Sequence, residues 1–470
     1  MSKLLRKKSV TDLLQQGQKK SLNKTLTSFD LSLMGIGAVL GTGVMVLTGI
    51  VAARDAGPAV ILSFMIAALV CGFAAFCYSE FASTIPVSGS AYTYTYATLG
   101  EFVAHLMGWT LLSVYFLTTS AVAVGWSAYF NTLLTGFGWG LPEQLVSTPM
   151  QGGIINLPAV IIVLLITLVL SRGTKESKKF NNFMVLVKLV VILLFIVVGV
   201  FYVKPENWSP FMPYGVDGIF AGAAAVFFAF LGFDAVSTSA EDCKNPQKAL
   251  PVGIISSLVV CTILYVIVCL IMTGITSYKN LDVPEAMAYV LELVGQDSVA
   301  GIVAVGAVIG IMAVIFAYVY AGTRVIFAMS RDGLLPKRFS RVDKRSETPV
   351  FSTWLTGLIS GGIAGFVEIK ELSNLANIGA LLTFAMVALS VIVLRKTHPN
   401  LERGFKVPLV PLLPILTMVF CAFLMFNLPA ATWMYFAIWI VIGTVVYFGY
   451  SKKHSLLESM GASGGSKKRS

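Results

Sequence analysis

One lysine, Lys188, stands alone inside the apolar run Phe183–Val203. It lies eight residues past Phe180. At ~1.5 Å per helical residue that is roughly 12 Å, near the middle of a ~30 Å hydrocarbon layer. An ionisable group at that depth marks a functional position by default. An ammonium group taken out of water gives up its proton more readily, so such a lysine can exchange a proton near neutral pH. The bland alternative is a stem that snorkels to the interface.

A second chemical feature is a run of glycines, Gly35-Ile36-Gly37-Ala38-Val39-Leu40-Gly41-Thr42-Gly43, inside the apolar segment Leu31–Ala53. Each glycine costs a helix about 1 kcal/mol against alanine. Unpaired backbone is tolerated in lipid only where it lines a cavity or is buried in protein. Unwinding here exposes amide N–H groups at the start of an outer half-helix, and those donors with the helix dipole suit a carboxylate. Close packing through the small residues Gly37-x-x-x-Gly41 is the structural alternative.

A matching interruption falls at Phe227-Phe228-Ala229-Phe230-Leu231-Gly232-Phe233-Asp234. Carbonyls freed before Gly232 can accept hydrogen bonds from an ammonium group, and the aromatics can shape an apolar pocket. Donors from one broken helix and acceptors from its counterpart match a zwitterion, which points to an α-amino acid. The alternative is a plain glycine kink with Asp234 near the surface.

The elements that must hold these groups are membrane helices. Of 470 residues, 56% are hydrophobic and 12% charged, against about 25% charged in a soluble protein. Apolar runs of spanning length recur about twelve times, near 31–53, 58–83, 101–130, 157–171, 181–203, 216–240, 250–276, 297–328, 349–367, 372–394, 408–427 and 430–450. Short alternating segments are absent, which excludes a β-barrel reading. The expected fold is an all-α polytopic membrane protein. Residues 29–203 hold spans 1–5 and residues 216–394 hold spans 6–10. Because five is odd, the second set enters the membrane inverted, and each set opens on a broken helix, the signature of a substrate site between inverted repeats. Residues 408–450 add spans 11 and 12. Tails 1–28 and 451–470 flank the whole.

The net charge of +11 is topological and not a nucleic-acid signal. With the N-terminus cytoplasmic, the inner side collects Lys3, Arg6, Lys7, Lys8, Lys19, Lys20, Lys24, Arg172, Lys175, Lys178, Lys179, Arg331, Lys337, Arg338, Arg341, Lys452, Lys453, Lys467, Lys468 and Arg469, among others. The outer side holds Arg54, Lys204, Lys279 and Lys370. This asymmetry places both termini inside, at a plasma membrane with anionic inner-leaflet lipid. Met1–Phe29 lacks the apolar core of a cleavable signal. The six cysteines mostly lie in apolar runs and the three histidines are scattered, so no metal or nucleophile constellation can be assembled and an enzyme is not expected. No cofactor is expected. A covalently linked partner subunit is not expected either, since the loop 131–156 has no cysteine.

Several of these residues together resemble the amino acid–polyamine–organocation superfamily, in the bacterial branch similar to cationic amino acid transporters. They are the Gly35–Gly43 run, Pro86-Val87-Ser88-Gly89-Ser90-Ala91-Tyr92-Thr93-Tyr94, Phe230–Asp234, Glu241-Asp242-Cys243-Lys244-Asn245-Pro246 and Ser330-Arg331-Asp332-Gly333-Leu334-Leu335-Pro336. The resemblance implies a leucine-transporter-type 5+5 inverted repeat working by alternating access. It implies that the Thr42 and Gly43 backbone, in the stretch opened by Gly41, holds the substrate carboxylate. The carbonyls of Val39, Phe228, Ala229 and Leu231 then hold its ammonium group. In proton-coupled members a lysine of the fifth helix replaces a sodium ion between helices 1 and 8, the place of Lys188. Span 8 offers no Ser or Thr between Ser298 and Thr323, so it brings no hydroxyl ligands for sodium.

Cationic-substrate relatives often carry an acid in the third helix, where this chain has Val114, and no Asp or Glu occurs between Glu101 and Glu143. The expected function is therefore proton-coupled symport of neutral, small or branched aliphatic amino acids. An amino acid exchanger or a cationic amino acid transporter of the same fold is the rival. A sensor that binds amino acids without net transport is the remote one.

Overall fold

The computed structural model describes residues 6–18, 24–283 and 285–458; the side chains of 15–18 and 174–177 lie outside it. The basic residues Lys3, Lys19, Lys20, Lys467, Lys468 and Arg469, and the side chain of Lys175, therefore fall outside the described residues. Among the described residues the chain is helical, with one isolated bridge, Leu26 to Cys243, and no strand.

Span 1 is Ser28–Val39 followed by a separate helical stretch from Gly43 to Ala56. Span 2 is Val60–Thr84, span 3 Glu101–Gly136, span 4 Leu157–Ser171 and span 5 Thr174–Gly199. Span 6 comprises Gly215–Val226, Phe227–Phe230 and Phe233–Asp242, and span 7 is Pro246–Ile275. Spans 8 to 12 are Asp297–Arg331, Val350–Phe366, Ile369–Thr397, Leu412–Phe426 and Ala430–Val446. Among the described residues eight helical stretches are long and apolar enough to cross a membrane; one of them, Ser28–Thr84, contains spans 1 and 2, and three shorter apolar helices complete the set.

The first four spans of each set pack in antiparallel pairs. A Cβ built on Gly35 meets Val236, one on Gly232 meets Ala38, and one on Gly222 meets Val51 and Ala56. Spans 1 and 6 thus run in opposite directions with their breaks side by side. Phe64 touches Tyr265 and Gly72 faces Leu258, which pairs span 2 with span 7. Span 3 opposes span 8 through Gly108 against Met329 and Trp126 Nε1 donating to Val308 O. Span 4 opposes span 9, with Thr167 at Gly357 and Val163 at Gly361. This is the inverted repeat. Span 11 packs on spans 2 and 10, and span 12 on spans 3 and 10.

The local chemistry accounts for the breaks. Span 1 starts in a capping box. Asp30 N donates to Thr27 Oγ1 at 3.3 Å and Thr27 N donates to Asp30 Oδ2 at 2.9 Å, which satisfies donors the helix leaves unpaired. The helix stops at Leu40, whose ψ of 100° is extended. It resumes in a π-helical turn, Gly43–Leu47, a form that clusters at functional sites. In span 6 the break is longer than a kink at Gly232. The α-helix tightens to a 3₁₀ turn at Phe227–Phe230 and becomes extended at Leu231. It then turns through Gly232 at φ 125° and continues as a second 3₁₀ stretch, Phe233–Asp242. That positive φ favours glycine, and a Cβ there would also lie 2.8 Å from the Ala38 backbone.

Three short helices have no counterpart in the spanning pattern: Val10–Gln18, Ala91–Thr98 and Ala286–Leu293. Span 5 begins at Thr174, seven residues before its apolar run, so Lys178 sits on a helical turn and not in a loop. Both ends of the described chain meet one face of the bundle. Lys8 Nζ pairs with Asp332 at 2.5 Å, Ser455 Oγ donates to Glu101 at 2.5 Å, and Leu456 N donates to Asp332 O. We call this the terminal face. There the linker after span 10 is held by Glu80, which takes Arg395 at 2.6 Å and the amide of Val407 at 2.7 Å.

Candidate functional site

Four half-helices end at the two breaks, and each end has a sign. The last carbonyls of a helix lack intrahelical partners and carry the negative end of the dipole; the first N–H groups are the reverse. The half-helix Ser28–Val39 presents carbonyls at its end. The stretch restarting at Thr42–Gly43 presents amides. The turn ending at Phe230 presents carbonyls again. Asp234 sits at the start of the last stretch, where its Oδ1 accepts from Gly232 N at 3.2 Å.

Val39, Gly41, Thr42, Gly43, Phe228, Ala229 and Leu231 all line one small cavity of about 10 Å³, closed down to the room of a single water. Ala38 of span 1, Thr118 and Val122 of span 3, and Val314 and Tyr318 of span 8 complete the wall. Every one of these residues is buried. A Cβ at Gly43 would run into Ala229, so the absence of a side chain lets the amide end of span 1 approach the carbonyl end of span 6. The lining carries no charged side chain.

The Lys188 side chain is fully buried. Its Nζ donates to Gly37 O at 2.9 Å and also to Leu40 O, the carbonyl end of the first half-helix. Span 8 makes room for the lysine: a Cβ at Gly310 would lie 2.5 Å from Lys188 Cβ. A buried ammonium is costly unless its donors are used, and here two carbonyls and a helix C-terminus meet that demand. The lysine does not line the cavity; it reaches the site through the backbone of span 1.

Two groups that sequence reasoning missed join this arrangement. Tyr265 of span 7 places its hydroxyl 2.7 Å from both Val39 O and Ala229 O, one carbonyl from each break. A hydroxyl has one proton, so it donates to one of them at a time. A tyrosine in an apolar run reads as core, and nothing local marks it. Asp234 is not near the surface: it is 4% exposed, and Tyr115 OH of span 3 donates to it at 3.0 Å.

Val114 is buried against Gly379 of span 10 and is not part of the cavity lining. Span 3 meets the cavity through Thr118 and Val122. The lack of an acid on this wall still holds, with different residues carrying it.

Below the site, at the terminal face, the motif residues of spans 6 and 8 form ion pairs. Asp242 takes Arg324 at 3.2 Å and Tyr320 OH at 2.5 Å. Glu241 takes Arg331 through two bonds of 2.9 Å and the amide of Ser88 at 3.0 Å. Asp332 takes Lys8 and Tyr92 OH. A cleft lined by Asp30, Lys178, Asn181, Tyr320 and Arg324 opens beside this network. The motifs were readable, but nothing in the sequence said that they pair with one another. All six cysteines are free and buried, and no cluster that could hold a metal occurs among the described residues.

Opposed broken spans around a buried cavity, with a lysine bonded into one break, define a membrane transporter and not an enzyme. Residues 26–448 match the family model described as amino acid permease, and the chain belongs to that family. It is similar to the methylthioribose transporter of Bacillus subtilis, at 54% identity over 97% of this chain and 100% of that protein. It is similar to the branched-chain amino acid permease BcaP of the same organism, at 51% identity over 97% of this chain and 99% of that protein. Cationic amino acid transporter 2 of Arabidopsis thaliana, vacuolar, is 37% identical over 84% of this chain and 64% of that protein.

Proposed function

We propose that this permease carries neutral, small or branched aliphatic α-amino acids together with a proton, by alternating access. The observation that carries the reading is the meeting of opposite helix ends in one buried cavity. In this reading the Thr42 and Gly43 amides take the substrate carboxylate. The carbonyls of Val39, Phe228, Ala229 and Leu231 take its ammonium group, with Gly41 leaving the turn open. The side chain then faces Thr118, Val122 and Val314, a wall without a carboxylate. The name of the 51% identical relative, a branched-chain amino acid permease, favours the same class.

Proton coupling rests on Lys188. Protonated, it binds Gly37 O and Leu40 O and holds the first half-helix in its present place. Deprotonated, it loses charge-assisted bonds and frees that half-helix to move, so one two-state element links proton and gate. We place the halves at residues 29–203 and 216–394. We place the terminal face at the cytoplasmic side of the plasma membrane, because Lys178, Arg331, Lys337, Arg338 and Lys452 gather there.

A second reading is transport of methylthioribose, favoured by the name of the 54% identical relative. That sugar thioether has neither carboxylate nor ammonium group and meets the two helix ends with neutral hydroxyls alone. Thermal-shift titration of the purified protein separates the two, because a ligand stabilises the state it binds. Valine, leucine or isoleucine should raise the transition temperature in a saturable way. Stabilisation by methylthioribose with no response to any amino acid would overturn the proposal.

A further inference from the structure

A cavity of about 500 Å³ lies away from the substrate site, between spans 3, 8, 9, 10 and 12. Its walls are apolar apart from the hydroxyls of Ser113 and Tyr435 and the indole nitrogens, and those indoles are spoken for: Trp109 Nε1 donates to Trp439 O at 3.0 Å and Trp439 Nε1 to Trp109 O at 3.1 Å. Apolar cavities of this kind stay dry, and an unfilled one forfeits dispersion contact along its whole lining. It is not sealed. Ile359 is 36% exposed and Tyr435 46% exposed, so the cavity opens on the membrane-facing side of the bundle.

Its shape has a direction. Along span 9 it runs from Leu355 to Ile363, about 12 Å at ~1.5 Å per residue, close to the hydrocarbon depth of a single leaflet, half of ~30 Å. Its lower end is closed by Leu335 and Phe339 at the terminal face. Between those two residues the chain places Lys337 and Arg338, both exposed. The Arg338 guanidinium lies 4.4 Å from the Phe351 ring centre, and that ring stacks on Phe339. A cationic rim thus sits at the interfacial end of a dry, leaflet-deep slot.

We propose that this cavity is a binding site for one anionic phospholipid, with an acyl chain in the slot and the phosphate at Lys337 and Arg338. The lipid fills the space between spans 3, 9 and 12 and so supports the spans that face the substrate cavity through Thr118 and Val122. Interfacial cations attract anionic headgroups, while the slot itself recognises only the chain, so the two parts can be separated by mutation.

The test uses the full chain in phosphatidylcholine nanodiscs doped with brominated-chain phosphatidylglycerol. Trp109 and Trp439 line the slot, and bromine on a chain inside it quenches their fluorescence. Expected is a saturable quenching component that half-saturates at about fivefold lower mole fraction for phosphatidylglycerol than for brominated phosphatidylcholine. Leu355→Phe, which puts a ring into the slot, should weaken that component severalfold while the protein keeps a cooperative thermal transition. Lys337→Gln with Arg338→Gln should erase the headgroup preference but keep the chain-dependent quenching. Quenching that rises linearly and equally for both lipids means annular lipid only and overturns the proposal. So does a phosphatidylglycerol preference untouched by Leu355→Phe, which would place the lipid elsewhere, and so does saturation that needs a neutral lipid instead. Loss of amino acid stabilisation in the previous titration would sink the functional reading without touching this one.

Discussion

At the scale of single residues, the site works through what side chains leave out. Gly43 lets two helix ends of opposite sign meet, and Gly310 leaves room for the Lys188 stem. Gly43→Val should push span 1 from Ala229 and weaken amino acid binding by about ten- to a hundredfold, the effect of overpacking by ~1–3 kcal/mol; an unchanged dissociation constant by calorimetry would argue against the carboxylate site. Tyr265→Phe removes one hydroxyl that serves both breaks. A net hydrogen bond contributes about 1 kcal/mol, so binding should fall roughly fivefold with little change in which side chain is preferred. Glu in place of Val122, which faces the cavity, should shift preference toward lysine and arginine, whereas Glu in place of Val114 should mainly disturb packing on Gly379. Competition uptake with valine and arginine distinguishes these outcomes.

At the scale of elements, the breaks in spans 1 and 6 were legible because glycine is the one residue whose helical cost and backbone freedom show directly in a sequence. That Lys188 is enclosed by the bundle fits its place alone in an apolar run. What was not legible is what depends on partners distant in the chain. Val114 and Val122 look alike in sequence, and only the rotation of span 3 decides which one faces the cavity. Ala91–Thr98 and Ala286–Leu293 are too short to announce themselves as spans, and the extent of the span 6 break, from Phe227, leaves no glycine trace before Gly232. The acids Glu241, Asp242 and Asp332 were visible as motif letters, but their pairing with Arg331, Arg324 and Lys8 requires three elements to converge. Breaking a buried pair by removing one partner is costly because it strands a charge. Arg324→Ala should therefore loosen the terminal face. The native cysteines are all buried, Cys243 beside Asp242 among them, so in a Cys243→Ser background an added Asn182→Cys, partly exposed in the neighbouring cleft, gives the reporter. Its labelling by a charged thiol reagent should accelerate severalfold in the Arg324→Ala background, and equal rates would contradict a closing role for the pair.

At the scale of the whole molecule, eight spans form four antiparallel pairs, 1 with 6, 2 with 7, 3 with 8 and 4 with 9, and spans 11 and 12 brace the outside. Span 1 is held from four sides: by Lys188 of span 5, by the span 6 break, by Tyr265 of span 7 and by Val314 of span 8, which faces Gly41. Its first half-helix is also tied at the terminal face through Asp30, which pairs with Lys178 at 2.6 Å. Its polar ties are separable from its packing, which suits a move between two arrangements, and the buried cation bonded to it is Lys188. The proposed substrate contacts are backbone groups other than the two carbonyls bonded to Lys188, so Lys188→Ala should still bind an amino acid while losing the drive that concentrates it.

The most direct measurement is accumulation of a branched-chain amino acid in proteoliposomes under imposed gradients. With an inward proton gradient the wild-type protein should concentrate substrate against its own gradient. An inward sodium gradient alone should give only equilibration, and Lys188→Ala should equilibrate under either. Concentrative uptake driven by sodium alone, or normal proton-driven accumulation by Lys188→Ala, would contradict the account.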